Sequence, residues 1–189
     1  MNQTVKKTGS TKARNSAARL LAVQAVYQMH KNDQDSESII KEFLEHRTGM
    51  DADGDEMVTP NQDHFALVVR GVNEHVEQLT DMIAKNRNQK EAQPPKAEVD
   101  PKVQRLQRAQ KTPETEEVSP EVSAPLAAKK EPLLQAILLC GAFELMVLQA
   151  IDSPVIISDY IHVTKAFYED GESKLVNGLL DSMRKTVRD

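Results

Sequence analysis

Apolar residues recur along most of this chain at helical spacing, and the pattern predicts a series of helices. Between Ala13 and about Lys31, apolar side chains cover most of the circumference and leave Gln24, Gln28 and Lys31 as a narrow polar strip. A helix that is apolar on nearly every side must be covered by neighbours. We therefore predict that this first helix is central and that Tyr27 within it belongs to the core.

Two amphipathic helices are predicted next. The first runs from about Ser36 to His46, with Asp35 or its own first residue as the cap. The second runs to about Lys85, and Thr59-Pro60-Asn61-Gln62 is typical of a capping box with proline at the first helical position. Gly71 lies within its apolar stripe, which indicates close packing against another helix.

The C-terminal part of the chain is also predicted to be helical. Residues 131–150 are apolar on nearly every face and indicate a second central helix, followed by one from the Ser153-Pro154 turn to about Tyr168. The last helix has two faces. Its inward stripe comprises Leu175, Val176, Leu179, Leu180, Met183 and Val187, and its polar face, a candidate binding surface, comprises Lys174, Asn177, Asp181, Arg184 and Arg188.

The segment 88–130 differs in character from both flanks. It contains six prolines, no glycine and no aromatic residue, with eight basic and seven acidic side chains. So few apolar groups cannot offset the entropy of ordering the segment, and we predict a disordered insertion. The predicted organisation is a flexible basic tail (1–12), an N-terminal helical half (13–87), this insertion (88–130) and a C-terminal helical half (131–189).

Composition and charge sharpen this picture. Aromatic residues make up only 4% of the 189 residues and tryptophan is absent, which favours helices, so the predicted fold class is all-α. The first nineteen residues carry a charge of +5 without one acidic side chain, whereas the rest must sum to −10 to give the net charge of −5. Such a cationic end would attract a phosphate-bearing partner, although a solvated tail is the simpler alternative.

Catalytic and metal-binding patterns are missing from the sequence. The five histidines lack metal-ligand spacing, and Cys140 lies in an apolar run typical of a buried, inert thiol. The stretch Asp51 to Asp55 resembles a calcium loop, but Glu56 stands where the turn glycine is required. With no phosphate-binding loop either, we predict a cytoplasmic binding protein that is not an enzyme and uses no cofactor or metal.

Four segments of the chain carry motifs that can be compared with one known family. They are R-N-S-A-A-R-L-L-A-V-Q-A-V-Y-Q-M (Arg14 to Met29), A-I-L-L-C-G-A-F-E-L-M (Ala136 to Met146), A-F-Y-E-D-G-E-S-K-L-V-N-G-L-L-D (Ala166 to Asp181), and the set Phe65, Val68, Val69, Gly71 and Val72. Together these segments resemble the NusB family of bacterial transcription antitermination factors. The first is similar to the family's first helix, the second to an inner helix and the third to its ending.

The resemblance implies a NusB-like bundle of two small helical subdomains without catalysis. It also implies binding to single-stranded RNA, the boxA element of the ribosomal RNA leader, together with the ribosomal protein NusE. Other Nus factors and RNA polymerase are the further implied partners, and no membrane is implied. The RNA-binding residues that it implies are Lys12, Arg14, Arg19, Ser173, Lys174 and Asn177.

Three alternatives to this site and function stay open. Asn177 could serve helix packing instead of reading a base. The chain could be a stand-alone domain that recruits an enzyme modifying ribosomal RNA. It could also be a helical scaffold without an RNA role.

Overall fold

The computed structural model describes residues 9–47, 58–91 and 131–188, and the regular structure of these residues is helical throughout. The helices are α1 (Thr11–Asn32), α2 (Ser36–His46), α3 (Gln62–Glu74), α4 (Val76–Glu91), α5 (Pro132–Val147), α6 (Ser153–Lys165) and α7 (Asp170–Val187). The all-α prediction is confirmed. No helix in the described part of the chain is long and apolar enough to cross a membrane.

Short polar side chains set the beginnings of the first two helices. The hydroxyl of Ser10 accepts a hydrogen bond from the Ala13 amide at 3.2 Å, so α1 begins within the predicted tail and Lys12 is helical. The carboxylate of Asp35 accepts from the Ser38 amide at 2.9 Å, which confirms the first of the two predicted caps for α2.

The predicted capping box is wrong. The cap of α3 is Asn61, whose side chain accepts from the His64 amide at 3.4 Å, and Thr59 lies before the helix. The backbone N–H of Asn61 donates to the backbone carbonyl of Arg14 at 3.0 Å. This bond holds the segment before α3 against α1, so Thr59 and Pro60 are in the connection and the helix begins later.

The single long helix predicted to Lys85 is in fact two helices. His75 leaves the helical conformation at φ −113° and ψ 15°, and its ring Nδ1 lies 3.0 Å from the carbonyl oxygen of Gly71. The change of direction brings α4 against α5 and α7, where Leu79 is completely buried. Tertiary packing therefore overrides a continuous apolar stripe.

α4 extends to Glu91, three residues beyond the predicted start of the insertion at residue 88. Residues 92–130, which include most of the predicted insertion, lie outside the described residues, as do residues 1–8 of the predicted tail.

The core is built around α1 and α5, as their nearly uniform apolarity predicted. α1 packs against α2, α3, α5 and α6, whereas α5 packs against α1, α3, α4, α6 and α7. The buried apolar residues of both predicted halves form one continuous cluster, in which Cys140 is a fully buried free thiol. Burial raises the pKa of this thiol well above its usual range.

Gly71 permits the close approach of α3 to α5, as predicted. A Cβ atom at this position would lie 1.9 Å from Cζ of Phe143, a side chain that is only 2% exposed. We expect Gly71→Ala to lower the free energy of unfolding by about 1 to 3 kcal/mol, because the ring must move within a packed core. Urea denaturation measures the loss.

Gly171→Ala is the matched control for that prediction. A Cβ at Gly171 would meet no atom within 4 Å, and the residue lies within α7. Alanine there should stabilise the protein slightly, by about 0.5 kcal/mol, because it restricts the unfolded chain. Equal effects of the two substitutions would contradict the packing assigned to Gly71.

The C-terminal end of α5 is capped by an arginine from the end of the chain. The guanidinium of Arg188 donates to the carbonyl oxygens of Leu145 (2.7 Å), Leu148 (2.9 Å) and Ile151 (2.7 Å), and also to that of Glu144. The last carbonyls of a helix lack intrahelical donors, and the arginine supplies donors for this end of α5 and for the turn that follows it. The prediction that Arg188 belongs to the outward polar face of the last helix is therefore wrong.

Candidate nucleic-acid interface

Two of the predicted RNA-binding residues lie at the N-terminal end of α1. Lys12 is exposed, and Arg14 is half-buried with its Nε donating to the Thr59 carbonyl at 3.3 Å. That bond leaves the two terminal nitrogens of Arg14 without a partner among the described residues. The helix begins with no acidic residue in its first turn. The exposed Lys12, the half-buried Arg14 and the first backbone amides of the helix together form a surface suited to phosphate.

Arg19, the third predicted cation, is not part of this surface. The side chain is 1% exposed, and its guanidinium donates to both carboxylate oxygens of Glu144 and to Asp159. The Nη2 to Oε2 distance in the Glu144 ion pair is 2.7 Å. The structure therefore places Arg19 in the protein interior, where its donor groups face carboxylates, and not on the surface with Lys12.

The buried ion pair continues into a polar network that joins four helices. His64 of α3 lies 3.1 Å from Oε1 of Glu144, and the Tyr160 hydroxyl donates to the same oxygen at 2.8 Å. Asp159 accepts a further bond from the Ser16 hydroxyl at 2.8 Å. No buried side-chain nitrogen or oxygen in the described part of the chain is left without a partner.

Electrostatics keep this network charged. Burial opposes ionisation of Glu144, but hydrogen bonds from His64 and Arg19 outweigh it and hold the pKa of this carboxyl below its usual range. Burial likewise disfavours charged Arg19, yet the bond to Glu144 raises the pKa of the guanidinium above its usual value. The Ser16 to Asp159 bond ties the first turns of α1 to α6, which places Lys12 and Arg14 on an ordered helix.

The predicted residues near the C terminus lie on α7 and differ in exposure. Lys174 and Asn177 are exposed. Ser173 is 5% exposed and its hydroxyl donates to the Glu169 carbonyl at 3.5 Å. α1 and α7 make no contact within the described chain, since α6 and α5 pack between them. The structure therefore does not bring the two predicted groups together.

A groove lies at the opposite end of α1, and the sequence analysis did not identify it as a site. Its volume is about 680 Å³, and it is bounded by the ends of α1 and α2, the start of α5 and the α6–α7 connection. The lining residues are Gln24, Tyr27, Gln28, Lys31, Asn32, Phe43, Arg47, Glu131, Pro132, Leu133, Phe167 and Tyr168. Tyr27, predicted to be in the core, packs against the core from a half-buried position on this groove.

One strip of α1 connects the cationic end to the groove. Ala13, Ala17, Leu20 and Gln24 are half-buried, and Lys31 at the far end is exposed. Their spacing of four, seven, eleven and eighteen residues from Ala13 places all five on one helical face. The spacing of polar residues predicted only the second half of this strip. Its first half contains alanines, and apolar residues give no sequence signal of an exposed helical face.

The described residues contain no group of three or more histidine, cysteine or acidic side chains arranged to hold a metal ion. The fold and the exposed groups together define a class of protein. It is a small all-helical protein that carries cations at both ends of one central helix. Aromatic side chains line a groove where the ends of four helices meet.

The chain belongs to the NusB family. The family model matches residues 16–100 and 114–185, so Lys12 and Arg14 lie just before the matched part. The chain is 30% identical over 174 residues to the transcription antitermination protein NusB of Caulobacter vibrioides, covering 92% of this chain and 94% of that protein. It is 31% identical over 172 residues to the protein of the same name from Sinorhizobium medicae, covering 91% and 86%.

Solved structures agree on the fold. A crystal structure of the antitermination factors NusB and NusE in complex with double-stranded RNA superposes with a TM-score of 0.60 at 16% identity, covering 94% of this chain and 99% of the other. T. maritima NusB gives a TM-score of 0.57 at 20% identity, covering 95% and 93%. The family model and the two relatives confirm the predicted resemblance, and the solved structures confirm the fold.

Proposed function

We propose that this chain is an RNA-binding antitermination factor that acts in the cytoplasm. It would bind the boxA element of nascent ribosomal RNA together with NusE, and so suppress premature termination by RNA polymerase in a complex with other Nus factors. The observation that carries the proposal is the position of Lys12 and Arg14 on the exposed first turn of α1.

The local electrostatics support this function. Single-stranded RNA is held largely by cations along its phosphates, which are the groups that Lys12 and the terminal nitrogens of Arg14 would contact. Neither side chain forms an ion pair within the described chain, whereas Arg19 forms ion pairs with Glu144 and Asp159. Lys174 and Asn177, both exposed on α7, are a second proposed contact, and Ser173, which is buried beside them, stays a prediction.

The proposal predicts a loss of RNA affinity on charge reversal. The double substitution Lys12→Glu and Arg14→Glu should weaken binding to a single-stranded boxA RNA by about tenfold or more, since hydrogen bonds to charged groups are worth about 1.5 to 3 kcal/mol each. The slope of log affinity against log salt should shrink by about 0.7 for each phosphate that the variant no longer neutralises. Fluorescence anisotropy across a salt series, with and without NusE, measures both quantities.

Lys85→Glu is the control for long-range charge effects, because Lys85 is exposed on α4 and distant in sequence from the site. Circular dichroism on all variants establishes that the helices are retained. If NusE tightens binding of the parent protein to boxA more than to a scrambled RNA, the antitermination function is supported. If charge reversal leaves RNA affinity and the salt slope unchanged, the chain is a scaffold without this RNA role.

A further inference from the structure

We propose that the groove at the end of α1 binds one unpaired nucleotide of the RNA, with its base stacked on aromatic side chains and its phosphate held by Lys31 and Arg47. The inference rests on the proposed function and names a second contact point of the same RNA. It assigns a binding role to residues of α2 and the α6–α7 connection that the sequence analysis did not consider.

The aromatic side chains supply the stacking surface. Phe167 is 42% exposed, and exposure of so large an apolar side chain to water is unfavourable. Its ring lines the groove together with the half-buried Tyr27 and Tyr168. Bases stack on such rings with little dependence on sequence. A cavity of about 680 Å³ has room for a nucleotide and falls in the usual range for small-ligand sites.

The cations on the groove favour a nucleotide over an apolar peptide. Lys31 is exposed at one side, and at the other the guanidinium of Arg47 lies 5.2 Å from the centroid of the Phe43 ring. Stacking on the ring orients the arginine while its donors stay available to a phosphate. Glu131 is the one carboxylate among the residues that line the groove, and burial together with the charge of Glu131 raises the pKa of the Tyr168 phenol.

An oriented amide could read the base. Nε2 of Gln28 donates to Glu42 at 3.0 Å and to Gln34 at 3.5 Å. Because both amide protons are directed at these partners, Oε1 of Gln28 is presented as a hydrogen-bond acceptor. The groove should therefore favour a base that offers an N–H donor at its edge.

The strip along α1 connects this groove to the cationic end. Lys12 and Lys31 are nineteen residues apart on one helix, which corresponds to about 28 Å at 1.5 Å per residue. Between them the surface is formed by small or half-buried side chains, Ala13, Ala17 and Leu20. A strand bound at the cationic end can follow this strip, and nucleotides further along it reach the groove.

The test places 2-aminopurine, a base whose fluorescence falls when it stacks, at each position of a boxA-like RNA in turn. With the full-length protein, we expect quenching to be strongest at one position, away from the end bound at Lys12. Phe167→Ala should abolish that quenching and weaken affinity about fivefold or more. Lys31→Glu should reduce the salt slope by about 0.7 and weaken binding in the same direction.

Matched controls separate the groove from general surface effects. Val147 is also 42% exposed and does not line the groove, so Val147→Ala should leave quenching and affinity unchanged. Lys85→Glu is the matched control for Lys31→Glu, because Lys85 is exposed but does not line the groove, so this variant should leave the salt slope unchanged. Because Phe167 and Lys31 are exposed, neither variant should fail to fold, and thermal unfolding verifies this.

The outcomes distinguish this inference from the proposed function. If charge reversal at Lys12 and Arg14 weakens RNA binding but Phe167→Ala changes neither quenching nor affinity, the groove inference is overturned and the proposed function stands. If the groove variants weaken binding of NusE alone, the groove is a protein-binding site and the inference is again wrong. If RNA binding ignores both sets of variants, the proposed function fails as well.

Discussion

Arg19→Ala is expected to lower the free energy of unfolding by about 3 to 5 kcal/mol, although arginine is usually a surface residue. Glu144 is completely buried, and removal of its cation would leave a desolvated carboxylate with only His64 and Tyr160 as donors. Asp159 would lose its ion pair at the same time. Urea denaturation followed by circular dichroism measures the loss.

Arg70→Ala is the control for that experiment. Arg70 pairs with Glu37 across α2 and α3, but both side chains are largely exposed, so this pair contributes little and stability should be nearly unchanged. If Arg19→Ala proves no more damaging than Arg70→Ala, the buried network is not what holds the helices together.

The network also predicts how stability depends on pH. The pKa of Glu144 is lower in the folded protein than its usual value, because hydrogen bonds from His64 and Arg19 outweigh the effect of burial. A lowered pKa means that the unfolded chain binds a proton more readily. The carboxylate therefore stabilises the fold at pH values above its unfolded pKa, and that stabilisation is lost as pH falls through the lower folded pKa.

The second large effect is expected for Leu179→Asp. Leu179 is completely buried in the apolar stripe of α7, which packs against α4, α5 and α6. The substitution removes a large side chain and places a carboxylate where no partner is available, so the loss should be about 5 kcal/mol or more. A loss of this size would unfold most of the population, and thermal unfolding would show a weak transition or none.

Asn177→Asp adds the same charge to the same helix at an exposed position. Its effect on the free energy of unfolding should be within about 0.5 kcal/mol. A normal cooperative transition in Leu179→Asp, alike in midpoint to that of Asn177→Asp, would refute the inward face assigned to α7.

Local patterns were sufficient for most of the elements. The cap of α2 at Asp35, the inward stripe of α7 and the close approach at Gly71 follow from side-chain spacing and backbone chemistry, which act over a few residues. The break at His75 did not follow, because an apolar stripe continues across it and only packing of α4 against α5 and α7 requires the turn.

The candidate site divides in the same way. The cationic end that contains Lys12 and Arg14 is visible from charge without a fold, and the family resemblance implied these two residues as RNA contacts. The groove brings together residues separated by more than one hundred positions, such as Lys31 and Phe167, and no local signal marks that meeting. Arg188 is a similar case, because its acceptors lie about forty residues earlier in the chain.

The sequence by itself determined that this protein is all-helical, that α1 and α5 are central, and that one end is cationic, because periodicity and charge are properties of neighbouring residues. Only the tertiary structure decided which cations reach solvent. Arg14 and Arg19 are five residues apart on one helix, yet one remains at the surface while the other is neutralised by carboxylates from α5 and α6. The desolvation free energy of a buried guanidinium is offset only where distant segments supply those carboxylates. Whether each arginine is exposed or buried therefore depends on the assembled fold.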